Sequence, residues 1–295
     1  MKKIKNTWMA GCDEKKVIPA LYFLAGIMLL SPYLIYGASG NQLPFLIGNE
    51  GYYHQRIAAH ISAILRIGVD SLSYGGRPYV SNLYHVIIGY GAYVIPLGVL
   101  VRGVPLVSGI LSLFVMNRIL KKTGYSQELR ITALFVFILS PGFIDAFGLS
   151  TPRSVAFLLA GSAYLLFMYA GKTRLLLSVA LMSSLVFFDV SAVVWLIALM
   201  WGEYLVKRDR IKERLGATAV VLAVAVSFVL PLYLEFPPGN HVLFQPEVIK
   251  RFVTDAGSLH GFGIFALILA FLGYFGLWRE NKKHNTFFMA LVVLF

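Results

Sequence analysis

Long apolar runs separated by short basic clusters are the feature of this sequence that most restricts its fold. Hydrophobic residues make up 58% of the 295 residues and charged residues only 14%, so polar side chains are too few to cover the apolar surface in water. A helix that crosses a bilayer needs about 20 apolar residues. The pattern therefore predicts an all-α, polytopic integral membrane protein. The runs lie near 17–37, 83–101, 103–120, 131–147, 154–170, 173–188, 190–206, 217–236, 261–278 and 286–295.

The run at 83–101 determines the orientation of every later helix. If it does not cross the membrane, the basic clusters all face one side, which the positive-inside rule assigns to the cytoplasm. If it crosses, every cluster after the first changes side and this bias disappears. We therefore predict that 83–101 lies in, or re-enters, the outer interface. The clusters are Lys2/Lys3/Lys5/Lys15/Lys16, Arg118/Lys121/Lys122/Arg130, Lys172/Arg174, Lys207/Arg208/Arg210/Lys212/Arg214 and Arg279/Lys282/Lys283.

This orientation predicts about eight or nine transmembrane helices in a single transmembrane domain, 1–295. Residues 1–16 form a cytoplasmic tail, 38–102 a large first outer loop with interfacial helices, and 237–260 a later outer loop. The last run, 286–295, has about half the length needed to cross about 30 Å of hydrocarbon. We expect a longer native polypeptide in the plasma membrane, with its N-terminus in the cytoplasm. The net charge of +12 then reflects topology, and we expect no nucleic-acid partner.

A polar stretch at 48–61 stands out from the apolar sequence. It reads Gly-Asn-Glu-Gly-Tyr-Tyr-His-Gln-Arg-Ile-Ala-Ala-His-Ile and follows the first span, so we expect it at the outer membrane face. Ile57 and Ile61 recur at helical spacing and predict a helix on the membrane surface. Glu50 then stands just ahead of the first turn, where the helix dipole keeps a carboxylate ionised and able to hold a cation or accept a proton. The alternative is a simple helix N-terminal acid.

The outer segments also carry arginines suited to phosphate. Gly75, Gly76 and Pro78 mark a turn that displays Arg77, and an arginine fork matches a phosphate. Arg251, in the loop at 237–260, breaks the inside bias of basic residues and favours a lipid-phosphate role. Contact with ordinary headgroups and solvation of a loop are the alternatives.

Asp145 lies in a short outer segment at 140–153. An acid so close to hydrocarbon usually has a partner, because an unpaired charge there is costly. That partner is either Arg153, in a structural ion pair, or a metal ion shared with Glu50. Asp189 occupies a similar place between two later spans and is a further candidate.

The stretch Gly48-Asn49-Glu50-Gly51-Tyr52-Tyr53-His54-Gln55-Arg56 resembles the first outer loop of GT-C glycosyltransferases. It is most similar to the catalytic subunit of oligosaccharyltransferase and its archaeal relatives, whose loop has an acid, paired aromatics, a His and an Arg. The layout is also similar: one span, a large outer loop with interfacial helices, then short-looped spans, with Ser-Pro-Gly-Phe closing the third. The resemblance implies transfer of a sugar from a polyprenyl-phosphate or diphosphate carrier at the outer face.

The resemblance also implies roles for two acids. Glu50 corresponds to the acid of the loop, a metal ligand or the base that acts on the acceptor. Asp145 falls where the oligosaccharyltransferase subunit has an acid-x-acid pair, but the residue two further on is Phe147, which leaves the oxygen ligands for Mg²⁺ or Mn²⁺ incomplete. The Trp-Trp-Asp acceptor motif is absent from the sequence, so the resemblance does not establish transfer to asparagine.

We predict a membrane glycosyltransferase that uses a polyprenyl (dolichyl) phosphate-linked sugar, with membrane lipids as its other partners. Glu50 and Asp145 are the predicted catalytic residues and ligands of a divalent cation, Mg²⁺ or Mn²⁺. The alternative is a non-catalytic GT-C-like binding or assembly subunit, which Phe147 favours, and a transporter ranks below both. The residues assigned to substrate or phosphate binding are His54, Arg56, Arg77, His85, Arg153 and Arg251.

Overall fold

The computed structural model describes residues 14–38, 49–64, 69–70, 77–78, 82–169, 171–207 and 210–235. Within these ranges the chain is helical apart from β1 (Val69–Asp70) and β2 (Arg77–Pro78), which pair antiparallel. The all-α class is therefore confirmed for this part of the chain. The helices are α1 (Glu14–Ala38), α2 (Asn49–Ile64), α3 (Leu83–Gly91), α4 (Leu97–Lys122), α5 (Gln127–Leu139), α6 (Pro141–Gly148), α7 (Arg153–Met168), α8 (Lys172–Leu185), α9 (Val190–Lys207) and α10 (Ile211–Glu235).

Two stretches of helix are long and apolar enough to cross a bilayer, Glu14–Ile35 in α1 and Leu97–Lys122 in α4. α5 and α6 form a bent pair, with 66° between the two helices, that would make a third span. α7 and α9 contain shorter apolar helices. The architecture is thus compatible with a helical membrane protein, and the predicted runs at 261–278 and 286–295 lie outside the described residues.

The apolar run at 83–101 is divided between two helices. α3 has nine residues, which span about 14 Å at 1.5 Å per residue, too short to cross the hydrocarbon. It begins at Asn82, whose side chain accepts a hydrogen bond from the Tyr84 N–H. α4 begins at Leu97, directly after Pro96, because proline lacks the N–H that a continuing helix would need. The span thus begins before the predicted loop boundary at 102.

α4 lies between two apolar cores. Leu113 and Leu120 of α4 pack in a core with residues of α1, α5 and α6. Val101 and Ile119 of the same helix belong to a second core, which α2, α3 and α7 to α10 complete. The two cores share α4 as a wall, so the two halves of the bundle are fixed to one helix.

The three basic clusters that follow α1 within the described residues meet at one end of the bundle. Lys122, at the end of α4, and Arg174, in the first turn of α8, lie 4.7 and 4.9 Å from the centre of the Tyr169 ring. Arg210, just before α10, lies 4.8 Å from the centre of the Phe167 ring. The ends of α4 and α7 and the starts of α8 and α10 therefore share this end, which we call the basic end.

α1 also starts at the basic end. Arg130, at the start of α5, donates through Nη1 and Nη2 to the two carboxylate oxygens of Glu14 at 3.2 and 3.0 Å. The segments that hold α3, Asp145 and Asp189 consequently lie at the opposite end. This is the arrangement expected if 83–101 does not cross the membrane.

Candidate functional site

A cavity of about 280 Å³ runs along the helices between α4, α7 and α9. Its lining is mostly apolar, with Arg153 and Asp189 at the opposite end of the bundle. On α7 the lining extends from Arg153 to Tyr164, which corresponds to about 16 Å of helix. The cavity is therefore a long apolar hollow with charged groups at one end, and we call this charged end its mouth.

Asp145 and Arg153 form an ion pair beside this mouth. The Ser140 side chain accepts the N–H of Phe143 at 3.2 Å and caps α6, which carries Asp145 on its middle turn. The Asp145 Oδ2 and Arg153 Nη1 atoms lie 3.8 Å apart, with side chains 22% and 55% exposed. The first alternative from the sequence, a structural pair with Arg153, is therefore present in the structure. A contact this long and this exposed contributes little stability and can be exchanged for another partner.

Phe147 belongs to the apolar core and also lines the cavity. It is 1% exposed, packs on the rings of Phe143 and Phe157, and would contact any side chain added at Gly109. Residues two apart on a helix do not face each other, so residue 147 points away from Asp145. This explains why the acid-x-acid pattern is not repeated here: in this fold the second position is a core position.

Glu50 is the second residue of α2. The backbone therefore places it within the first turn of a helix, close to the predicted position just ahead of it. Its side chain lies outside the described part of the chain, and a metal ion shared with Asp145 stays a prediction. Among the residues that the structure describes, no three His, Cys, Asp or Glu side chains come together as a metal site would require.

His54 and His85 form a pair that joins α2 to α3. The His54 Nδ1 and His85 Nε2 atoms lie 2.6 Å apart, and the rings of Tyr53 and Tyr84 contact the pair edge-on. His85 is 3% exposed, and this burial, followed by the neighbouring His54, lowers the pKa of His85 to about 3. His85 is consequently neutral at physiological pH, and the pair joins α2 to α3.

Of the remaining arginines predicted to bind substrate or phosphate, Arg56 alone has its side chain within the described residues. Arg56 is exposed on α2 and lies 5.7 Å from the centre of the Tyr53 ring. The backbone of Arg77 pairs with that of Asp70 in the short ladder, while its side chain lies outside the described residues, as does the whole of Arg251. The structure therefore brings Asp145 and Arg153 together, and separately His54 and His85.

The sequence missed the cavity itself and the polar groups along it. Ser112 and Tyr164 line it, and near the basic end Arg214 lies 3.4 Å from Glu203 with only 2% of its side chain exposed. The sequence carries one indication of this buried pair, because Glu203 and Arg214 are charged residues near the ends of adjacent apolar runs. Apolar periodicity cannot distinguish a residue that lines a cavity from one that fills a core.

No protein-family model matches the sequence, and no curated protein matches it.

Proposed function

We propose that this chain is a membrane glycosyltransferase with a GT-C-like arrangement of about eight or nine transmembrane helices. It would transfer a sugar from a polyprenyl-phosphate-linked donor to an acceptor at the extracytoplasmic face of the plasma membrane. The observation that supports this most is the Asp145–Arg153 pair beside the mouth of the apolar cavity.

The cavity has the character that a lipid-linked substrate requires. A hydrocarbon chain would lie along the apolar walls of α4, α7 and α9, and its phosphate would reach Arg153 at the mouth. The volume of about 280 Å³ lies near the lower limit of about 300 Å³ typical of small-molecule pockets, which suits one chain and not a folded ligand.

The same pair provides the chemistry of transfer. The bond between the anomeric carbon and the phosphate oxygen breaks through an oxocarbenium-like state, and the acceptor oxygen or nitrogen forms the new bond. Arg153 stabilises the phosphate leaving group, since charge-assisted hydrogen bonds to an arginine fork are strong. Once Arg153 turns to the phosphate, the Asp145 carboxylate loses this cation and can accept the acceptor's proton, a role that it would share with Glu50.

The orientation follows from the two ends of the bundle. Lys122, Arg174 and Arg210 meet at the basic end, and the positive-inside rule assigns that end to the cytoplasm. The mouth with Asp145 and Arg153 then opens at the extracytoplasmic side. A lipid-linked sugar in the outer leaflet would meet both side chains there.

The test is sugar transfer by the purified full chain in proteoliposomes, with a panel of labelled polyprenyl-phosphate-linked sugars. We expect Asp145→Asn and Arg153→Gln each to lower the rate about 100-fold or more. Arg102→Gln is the matched control, because Arg102 also lies at this end, 5.5 Å from the centre of the Tyr33 ring, but does not line the cavity. Variants that transfer sugar at the wild-type rate would exclude these roles.

A second candidate is a non-catalytic binding or assembly subunit of the same architecture. It is favoured by the burial of Phe147 and by the pairing of Asp145 with Arg153, which together leave no acid-x-acid pair on α6. This candidate predicts that the wild-type protein binds lipid-linked sugar without turnover, and that Asp145→Asn binds it equally well.

A further inference from the structure

Two cations converge on a single aromatic ring at the basic end. The Lys122 Nζ and the Arg174 guanidinium lie 4.7 and 4.9 Å from the centre of the Tyr169 ring. Both side chains are exposed. Since each charge is within 5 Å of the same point, the two are less than about 10 Å apart, which is close to the Debye length of about 8 Å at physiological salt. They therefore repel each other without full screening.

The described acids of this end are engaged elsewhere. Within the described residues, neither Lys122 nor Arg174 has an acidic side chain within ion-pair distance, and Glu128 hydrogen bonds with Ser126. The other described acids of this end contact arginines. These contacts are Glu14 with Arg130, Glu203 with Arg214 and Glu213 with Arg210.

The helix dipole accounts for the position of one of the two cations and not for the position of the other. Lys122 lies in the last turn of α4, where the helix dipole favours a positive charge. Arg174 lies in the first turn of α8, together with Lys172 and with no acid, where the dipole disfavours a positive charge. Within the described residues, the contact that holds Arg174 in place is its cation–π interaction with Tyr169, so its charge remains available to an anion.

We propose that Lys122, Arg174 and Tyr169 form a binding site for the phosphate of an anionic phospholipid in the leaflet at the basic end. Lysine and arginine donate charge-assisted hydrogen bonds to phosphate, and a tyrosine at the membrane interface keeps its ring in the apolar layer and its hydroxyl among the headgroups. The exposed side chains of Lys121 and Lys172 flank the site and strengthen the local positive field. This site lies at the end opposite to Asp145 and is independent of the proposed transfer reaction.

The test uses the full chain in nanodiscs that contain phosphatidylglycerol and phosphatidylcholine, with retained lipid counted by native mass spectrometry. We expect the wild type to retain phosphatidylglycerol, and the double variant Lys122→Gln/Arg174→Gln to bind it about 10- to 30-fold more weakly. Arg118→Gln is the matched control. Arg118 is also an exposed cation of α4, 5.0 Å from the centre of the Phe114 ring, but it has no second cation on that ring, and its loss should leave retention unchanged.

A variant that exchanges the two cations and preserves both charges distinguishes loss of the lipid site from a folding defect. Lys122→Arg/Arg174→Lys should retain phosphatidylglycerol as the wild type does. Equal retention by the wild type and the glutamine variant, or equal retention of phosphatidylcholine and phosphatidylglycerol by the wild type, would overturn the proposal. Displacement of the lipid by millimolar inorganic phosphate or glycerol phosphate would assign the site to a soluble phosphate, which also contradicts a lipid site.

Discussion

The two ends of the bundle hold their buried polar groups in different ways. At the basic end, Arg130 is 6% exposed and Arg214 is 1% exposed, and both are held by acids and by neighbouring oxygen atoms. At the opposite end, the neutral His85 faces His54. A buried charge must keep its partner, whereas a neutral pair or a half-exposed ion pair can exchange it. The contacts of the basic end are thus fixed, whereas the polar groups of the opposite end can exchange their partners.

Replacement of a buried arginine is the strongest test of whether the contacts at the basic end are fixed. Arg214→Gln leaves Glu203 and the Met200 carbonyl without the guanidinium that contacts both. Breaking a buried pair on one side costs about 3–5 kcal/mol, and we expect a loss of this size in thermal or denaturant unfolding in detergent. Lys212→Gln is the control, since Lys212 is exposed two residues away, and it should change stability by less than about 0.5 kcal/mol. Equal effects of the two variants would contradict the assignment.

Acid should weaken the opposite end in a defined pH window. Burial lowers the pKa of His85 to about 3, so the unfolded segment binds a proton more readily than the folded one. This contribution to stability is complete above pH 6.5 and is lost as the pH falls from 6.5 toward 3, by no more than about 1.4 kcal/mol per unit. The groups facing His85 are His54, Tyr53 and Tyr84, with Arg56 over the Tyr53 ring.

The measurement for this window is the distance between spin labels at the exposed positions 63 on α2 and 90 on α3, with Cys12 replaced. We expect the distance to widen below pH 6.5 in the wild type and to lose this pH dependence in His85→Gln. A distance that is constant from pH 7 to pH 4 in the wild type would contradict this pH dependence.

A smaller effect is expected where α2 and α3 approach each other. A Cβ atom at Gly89 would lie 2.9 Å from the Ala58 carbonyl oxygen and 3.1 Å from Ile61. Gly89→Ala should cost about 1–3 kcal/mol through overpacking, offset by about 1 kcal/mol of helix propensity. The net loss is then about 1 kcal/mol.

Gly103→Ala provides the comparison for this substitution. No atom lies within 4 Å of an added Cβ at Gly103, so propensity alone acts and we expect no loss of stability in the same unfolding experiment. A Gly89→Ala variant that is as stable as Gly103→Ala would show that α2 and α3 are not in close contact.

The sequence predicted the sidedness of the bundle because charge is expensive in hydrocarbon and therefore visible in the pattern. Lys122, Arg174 and Arg210 were assigned to one side, and the structure brings them to one end. Pro96 marks the break between α3 and α4 in the sequence. Because 83–101 is mostly apolar, we predicted one helix there. The charge pattern thus predicts which end of the bundle a segment shares better than it predicts where a helix begins.

The site could be predicted only in part, because its geometry depends on contacts between distant segments. His54 and His85 were each assigned to substrate binding, but nothing in their spacing of 31 residues predicts that their rings meet. The helical form of α6 was also not predicted, and it turns Phe147 into the core while Asp145 faces Arg153. Tertiary packing decided these positions, and local pattern could not.

The proposed function requires that the hollow between α4, α7 and α9 receives the chain of a lipid-linked sugar with its phosphate at Arg153. Photo-crosslinking of the full chain with a polyprenyl phosphate that carries a diazirine on its chain tests this requirement. We expect labelling at Leu196 and Ala160, which line the cavity, with competition by unlabelled lipid and a loss of labelling in Arg153→Gln. Labelling of Leu176, which is 70% exposed on α8, as strongly as Leu196, with no effect of Arg153→Gln, would contradict it.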